Sequence, residues 1–541
     1  MQHTHKIILL LLMVATATYS QKKVQINLES KIVLSGKDNL LPHYQYTNQW
    51  GVVDPFEQKQ ALVLAGAKYK VLDAKRIRLD AGVSGVFKHQ LDKSFLHEAY
   101  VKGEAWEYIG FFVGKYAFTP LSYNDELTIG GFFMNSNARP IPRATIGLFD
   151  YFPLHFLNDR IEIKGGISQG ILNDNRTDQG KSNSVDRPLL HEKWAYMRLG
   201  KARWQPYMGL SHSAIFGGAR INGKKIPIDF WPTFTAQGSE KIGGGEATNA
   251  AGAHEGFWDF GIYANTQWAR LHFYVQKPFA DGSGMKIYRG NNRDYKIGLL
   301  SNVTNGTWLR NLSIEVFKTD YQSGQGIPDP LYPSGSASQG IIWLDEIPDY
   351  DAFMQENFGV QQTGWNKQKV LKYLQDKLNQ GNKYGGRDDY NNNGSYYNGW
   401  TYHQQSMGMP LYHTFWQAGA YAPEWKPNNS VVFMNNRIKG FHVGLHGAVS
   451  ENITYLLKAT YTYNKGAYPE QYIRRYSWEE DPDFFYKGGK KQTYTYLSLN
   501  YTHPKWNCFS LSGSVSFDGG ALYNAWGGSL GIRYTPSVSF L

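Results

Sequence analysis

CFSLSGSVSF (Cys508–Phe517) and AWGGSLGIRY (Ala525–Tyr534) decide the fold. In the first, Phe509, Leu511, Gly513, Val515 and Phe517 share one parity, and Cys508, Ser510, Ser512, Ser514 and Ser516 share the other. In the second, Trp526, Gly528, Leu530, Ile532 and Tyr534 alternate with Ala525, Gly527, Ser529, Gly531 and Arg533. A period of two sustained over ten residues is a strand with one apolar face and one small or polar face. The pattern recurs in Phe441–Ser450 and Ile453–Tyr463, and upstream from Ile77 to Phe87, Trp258 to Asn265 and Leu271 to Gln276. Strands of soluble sandwiches are usually nearer five or six residues. A tilted strand crossing a bilayer takes about 9–11, with aromatic residues at its ends. Phe509 and Phe517, Trp526 and Tyr534, and Tyr455 and Tyr463 stand at or near such ends. These segments predict an all-β transmembrane antiparallel β-barrel, and the length accommodates 16–18 strands.

Composition agrees. Of 541 residues, 15% are aromatic and only 19% are charged, with 57 Gly. Aromatics favour pleated surfaces and Gly disfavours helices. The aromatic content excludes disorder. The lone Cys508 excludes a disulfide framework and a CxxC site. No stretch after the N-terminus approaches the ~18–20 apolar residues of a spanning helix. Residues 1–20 read as a signal peptide: Lys6, an apolar core Ile7–Ala17, then small Thr18 and Ser20. Residues 21–60 are expected to be a periplasmic or plug segment, and 61–541 the barrel.

Three stretches lack alternation and are too long for turns: Gly170–Pro188, Ala219–Gly256 and Gln322–Pro427. The last is the principal loop insertion, at 322–427, and holds Pro328, Pro330 and Pro333. Within it, Val370, Leu371, Leu374 and Leu378 predict a helix over 366–380 with Gly381 as its C-cap. Such a helix either plugs or covers one mouth, or lies on the surface against neighbouring loops. Long loops normally occupy the extracellular side of these barrels.

The stretch Asn135-Ser-Asn-Ala-Arg-Pro-Ile-Pro-Arg143, continuing to Gly147, resembles a motif of the Wzi family of capsule assembly proteins. So does Leu189-Leu-His191, leading through Tyr196-Met-Arg198 to Gly209–Gly218. Asp259-Phe-Gly, Tyr274-Val-Gln276, Asp281-Gly-Ser, Tyr402-His403 and Met407-Gly-Met-Pro-Leu411 are similar to later blocks, in family order. The resemblance implies an outer-membrane barrel of about 18 strands with a non-enzymatic, lectin-like role in holding capsular polysaccharide. The long 322–427 insertion, and the lack of a clear N-terminal helical bundle, depart from that pattern.

The carbohydrate-binding candidates are Arg139, Arg143, His191, His212, Trp231, Gln276, Trp400, Tyr402 and His403. Arg139 and Arg143 flank a Pro-Ile-Pro turn, and either face the acidic groups of a glycan or pair with carboxylates in the lumen. His191 and His212 are either ligands or hydrogen-bonded structural residues. Gln276, with Tyr274 and His272, lines one strand face and either meets sugar hydroxyls or belongs to a polar lumen. Trp231, Tyr396, Tyr397, Trp400 and Tyr402 either stack on sugar rings or pack loop cores. Two G-x-S-x-G matches, Gly166–Gly170 and Gly527–Gly531, sit in strand patterns rather than strand–turn–helix contexts. Asp389–Gly394 begins like a calcium loop, but its twelfth position is Trp400 rather than Glu. No catalysis, cofactor or metal is expected, and no nucleic-acid partner. The expected partners are an acidic capsular polysaccharide and outer-membrane lipid; the net charge of +11 suits either. The alternative function is a porin-like diffusion channel.

Overall fold

The computed structural model describes residues 22–540 except 37–39, 120, 122, 179, 244–249, 281–284, 286–292, 323–343, 345–346, 381–386, 429, 473–479 and 507. The signal-peptide segment 1–20, the Asp281-Gly-Ser block, Gly381, Pro328, Pro330 and Pro333 lie outside the described residues. The wall begins with β1 (Lys22–Ser35), β2 (Lys59–Ala74), β3 (Ile77–Lys88), β4 (Phe95–Ala105), β5 (Ile109–Lys115) and β6 (Pro142–Pro153). It continues through β7 (Ile161–Ile171), β8 (Leu189–Leu199), β9 (Trp204–Phe216), β10 (Ala253–Asn265), β11 (Ala269–Phe279) and β12 (Tyr295–Val303). It ends with β13 (Asn311–Lys318), β14 (Ile438–Ser450), β15 (Ile453–Asn464), β16 (Lys490–Tyr501), β17 (Phe509–Gly520) and β18. The last strand runs as Ala525–Tyr534 and Ser537–Phe540, interrupted at Pro536, which has no N–H to give the ladder.

Each strand pairs antiparallel with its predecessor, and β1 pairs with both β2 and β18, so eighteen strands close into a barrel. No described helix is long and apolar enough to cross a membrane. The alternation faces as its chemistry requires. Val515, Phe517, Trp526, Leu530 and Ile532 point outward, Leu530 with 72% of its surface exposed, while Ser516, Lys458, Thr460 and His442 point inward and are buried.

The N-terminal assignment needs correction. Residues 22–35 are not a separate periplasmic segment but the strand that closes the barrel, with Leu28, Ile32 and Leu34 on its outer face. Charged and amide residues at Glu29, Lys31, Gln25 and Asn27 hide that alternation in the sequence; they are the inward parity of a polar lumen. Only the following stretch, with helix α1 (His43–Tyr46), enters the barrel as a plug. Cys508 lies in the turn before β17 rather than on a strand face.

Turns at one end are short, as at 75–76, 106–108, 266–268 and 451–452, and both described termini lie there. The other end carries 36–58, 116–141, 217–252 and 319–437. Short turns belong to the periplasmic side and long loops to the extracellular side.

The insertion at 319–437 contains the expected helix as α4 (Lys367–Asn379), capped by the Asn366 side chain, but it is paired with a second helix, α3 (Tyr350–Phe358). Val370 and Leu374 pack with Phe353, Met354 and Phe358, so the apolar stripe of α4 is covered by its own hairpin rather than by the barrel mouth. A charge on the outer wall should be far costlier than a change on the inner one. Leu530→Arg is expected to lose about 2–4 kcal/mol and Ser529→Ala less than about 1 kcal/mol, read from reversible urea folding into vesicles.

Candidate functional site: a lumen crossed by loops beneath an aromatic layer

The lumen is crossed by two loops that satisfy its inward-facing charges. Asp259 on β10 is fully buried and accepts from four donors. These are Tyr123 of the 116–141 loop, Tyr207 at 3.0 Å, Tyr196 at 3.2 Å and Gln276 at 3.1 Å. Glu315 on β13 accepts from the Ile129 amide at 2.8 Å and the Tyr274 hydroxyl at 2.5 Å. Lys296 lies 3.8 Å from Glu315 and donates to the Gly130 carbonyl. On the opposite wall, Asp518 accepts from the His43 amide at 2.6 Å and the Tyr523 hydroxyl at 2.9 Å. Tyr44 bonds Thr460, and Lys458 stands 4.1 Å over its ring. Between wall and loop near Gln276 and Lys296 there remains a cavity of about 30 Å³, room for about one water. A vestibule of about 720 Å³ lined by Glu29, Lys31, Asp125, Glu126 and Arg533 opens on the other side of these loops.

Above the crossing lies an aromatic layer. Trp400, Tyr402, Met407, Met409, Leu411, Tyr412 and Phe433 pack with Phe132, Phe133 and Tyr44 and with the wall residues Leu190, Ile215, Phe257 and Phe317. Two of the sequence motifs meet here. Asn135 donates its backbone N–H to Met407 O at 2.8 Å and its side-chain amide to Gly408 O at 2.7 Å; Asn137 donates to Ser406 O. Gly408 permits this approach: a Cβ there would stand 2.0 Å from the Phe132 carbonyl oxygen. The stalks of the large insertion are tied down by Asp294, which accepts from the Tyr321 and Gln322 amides and from the Tyr390 hydroxyl. Asp389 is held by Asn436.

The nine predicted residues do not form one site. Arg143 pairs with Glu192 at 2.5 Å inside the barrel, and Arg139 stacks its guanidinium 3.6 Å over Phe95. Gln276 belongs to the Asp259 network. Trp400 is fully buried, Tyr402 donates to Asn173, and His403 bonds Asp174 through its amide, with a left-handed backbone. His191 and His212 sit on the outward parity of β8 and β9, buried beneath the 217–252 loop. Trp231, 69% exposed on that loop, is the one fully solvent-facing member.

In the Asp389–Gly394 turn, Asn392 and Asn393 direct their side chains at the chain itself. Asn392 brackets Phe433 through its N–H and C=O, and Asn393 accepts from Ser395 N. Ser168 of the first G-x-S-x-G match accepts from Thr145 on a strand face.

Asp259 and Glu315 are legible in the sequence as ionisable residues on the polar parity of spanning strands. Tyr123 and Tyr44 carry no such signal, because their loops have no period.

On the outer side of the insertion, the α3–α4 hairpin forms a hollow of about 210 Å³ lined by Gln362, Trp365, Lys369, Lys372, Tyr373 and Asp376. Trp365 stands edge-on to Tyr373, 5.7 Å between centroids. Asp351 fixes the entry by accepting from the Gly364 and Trp365 amides, which hold its carboxyl below the usual range. This arrangement offers an aromatic edge with cationic and amide donors on a helical hairpin.

Burial pushes Asp294 up to about 6 and Asp389 up to about 7. Folded pKa values raised above the unfolded ones stabilise the loop layer fully below about pH 4, and that contribution is lost as pH rises through 6 and 7. Burial pushes His403 down to about 4, so its contribution runs the other way, lost as pH falls from about 6.5 toward 4. Hydrogen exchange of the 389–400 amides, corrected for intrinsic rate, should quicken from pH 5 to pH 8, and Asp389→Asn should flatten that rise.

No family model matches this chain, and no curated protein does. Among solved structures it is similar to Wzi of Escherichia coli, an outer membrane protein involved in group 1 capsule assembly and a carbohydrate-binding β-barrel. The likeness covers 95% of this chain and 85% of that one at 10% identity, with a TM-score of 0.52. OccAB4 of Acinetobacter baumannii (10% identity, 96% and 99% covered, TM-score 0.41) and opdK of Pseudomonas aeruginosa (10%, 96% and 99%, 0.42) are more distant in shape. The chain therefore has the fold of an outer-membrane β-barrel.

Proposed function

We propose that this protein is a non-enzymatic carbohydrate-binding barrel of the outer membrane that anchors or helps assemble an acidic capsular polysaccharide at the cell surface. The observation that carries the reading is the loop crossing of the lumen. Among the described residues, loops bound at Asp259, Glu315 and Asp518, with the aromatic layer above them, occupy the middle of the barrel and narrow any passage for a solute. That favours a surface-binding role over a diffusion channel. The fold likeness to a carbohydrate-binding barrel supports the same reading. Contact with the glycan is assigned to the extracellular loops, foremost the hollow of Trp365, Tyr373, Lys369 and Lys372. Its aromatic rings offer apolar contact and its lysines meet carboxylates or sulfates.

Cells lacking the protein should shed polysaccharide into the medium while synthesis continues; a normally attached capsule would count against the reading. Trp365→Ala should weaken binding of the purified protein to the cell's own capsule about tenfold, about 1.4 kcal/mol, with a neutral glycan as control. In planar bilayers the native barrel should be silent. Asp259→Ala orphans Tyr196 and Gln276, at about 1–3 kcal/mol each, frees Tyr123 from its carboxylate, and should give fluctuating currents as the 116–141 loop loosens.

A further inference from the structure

The outward face of the barrel is not uniform. Across β6 to β9, the residues Ile146, Ile167, Lys193 and His212 stand side by side in register and share the outward parity. Ile146 is exposed on the lipid-facing wall, whereas Lys193 and His212 are covered. What covers them is the 217–252 loop, folded down over the outside of the wall rather than over its mouth. Its short helix α2 (Phe230–Thr235) lays Phe234 against His191, 5.1 Å between rings, and Lys193 donates to the Phe234 carbonyl while its ammonium lies 3.7 Å over that ring. His212 stacks on His254 beneath, 3.0 Å between ring nitrogens.

Ile221, Ile228 and Trp231 are exposed on this segment, and Phe230, whose ring lies 6.2 Å from His191, is exposed at its edge. The same strands of the wall expose Ile146, Met197 and Met208. Lys224, Lys225 and Lys241 are exposed on the same segment, against Glu240 as an exposed acid. A segment with exposed aliphatic and aromatic residues and exposed lysines, covering part of a lipid-facing wall, has the chemistry of a membrane–water interface.

We infer that residues 219–241 form an interfacial flap that inserts Ile228, Phe230 and Trp231 into the outer leaflet, while Lys224, Lys225 and Lys241 hold phosphates of its lipid headgroups. The apolar surface continues an interface the barrel already makes with lipid, and the net positive charge matches anionic headgroups. On this assignment Trp231 meets lipid and not sugar. The inference is independent of the glycan reading, which rests on the α3–α4 hairpin.

The test places a nitroxide on the flap of the full-length protein, as W231C in a C508S background, with I228C as a second site should the first fail to fold. Heat-modifiable migration checks the barrel. In vesicles of phosphatidylcholine with diphosphoryl lipid A, the label should be accessible to oxygen and shielded from an aqueous nickel chelate. Replacing a flap lysine, as K224Q or K225Q, should raise the midpoint of the lipid A titration about fivefold each. A label as open to the nickel chelate as one on an exposed periplasmic turn would overturn the proposal. So would immobilisation by soluble acidic polysaccharide instead of lipid A. Insertion that is identical in phosphatidylcholine alone, with no lysine effect, would overturn the phosphate assignment.

Discussion

An inward-facing charge in a β-barrel must find a partner or remain in water, and the rest of this structure depends on how that requirement is met. Asp259, Glu315 and Asp518 each stand on a spanning strand with the carboxylate directed into the lumen. Leaving such groups buried and unpaired would cost several kcal/mol apiece. The chain supplies the partners itself: Tyr123 and the Ile129 amide from one loop, and the His43 amide from another. Wall residues supply the other donors, but Tyr123, Ile129 and His43 bring loop backbone into the lumen with them. Satisfying the wall and filling the barrel are therefore coupled.

The aromatic layer follows from that crossing. Once 116–141 spans the lumen, its Phe132 and Phe133 present an apolar upper surface, and the 400–412 segment buries Trp400, Met407 and Met409 against it. The hydrogen bonds from Asn135 and Asn137 to the 406–408 backbone set the register between two segments some 270 residues apart. Residues that look like exposed sugar platforms in sequence, Trp400 and Tyr402 above all, become the packing of this layer. On the readings proposed above, the surfaces that meet glycan and lipid are instead the α3–α4 hairpin and the 219–241 flap.

The wall was legible in the sequence where the alternation is clean, in seven of the eighteen strands, because the bilayer imposes a period of two that a ten-residue segment displays by itself. Leu530, Val515 and Phe441 point outward where their parity puts them, and Lys458 and His442 point inward. Polar inward residues obscure the period elsewhere, as in β1, whose inward Gln25, Asn27, Glu29 and Lys31 mask an outward Leu28, Ile32 and Leu34. Helix α4 was legible from its stripe, but α3, which covers it, was not, since Phe353, Met354 and Phe358 are too few to set a clear period. The site residues were the least legible. Arg143 and Gln276 proved to be wall chemistry, and His191 and His212 face outward under a flap.

By itself, then, the sequence determined a closed, membrane-spanning barrel with long loops on one side, because strand alternation is local and the lipid reads it one residue at a time. Only the tertiary structure decided where those loops go: two into the lumen, one over the mouth, and one down the outer wall. Loop placement is set by which buried polar group finds which donor across the barrel. Those pairings join residues such as Tyr123 and Asp259, or His43 and Asp518, whose separation in the chain leaves no periodic trace.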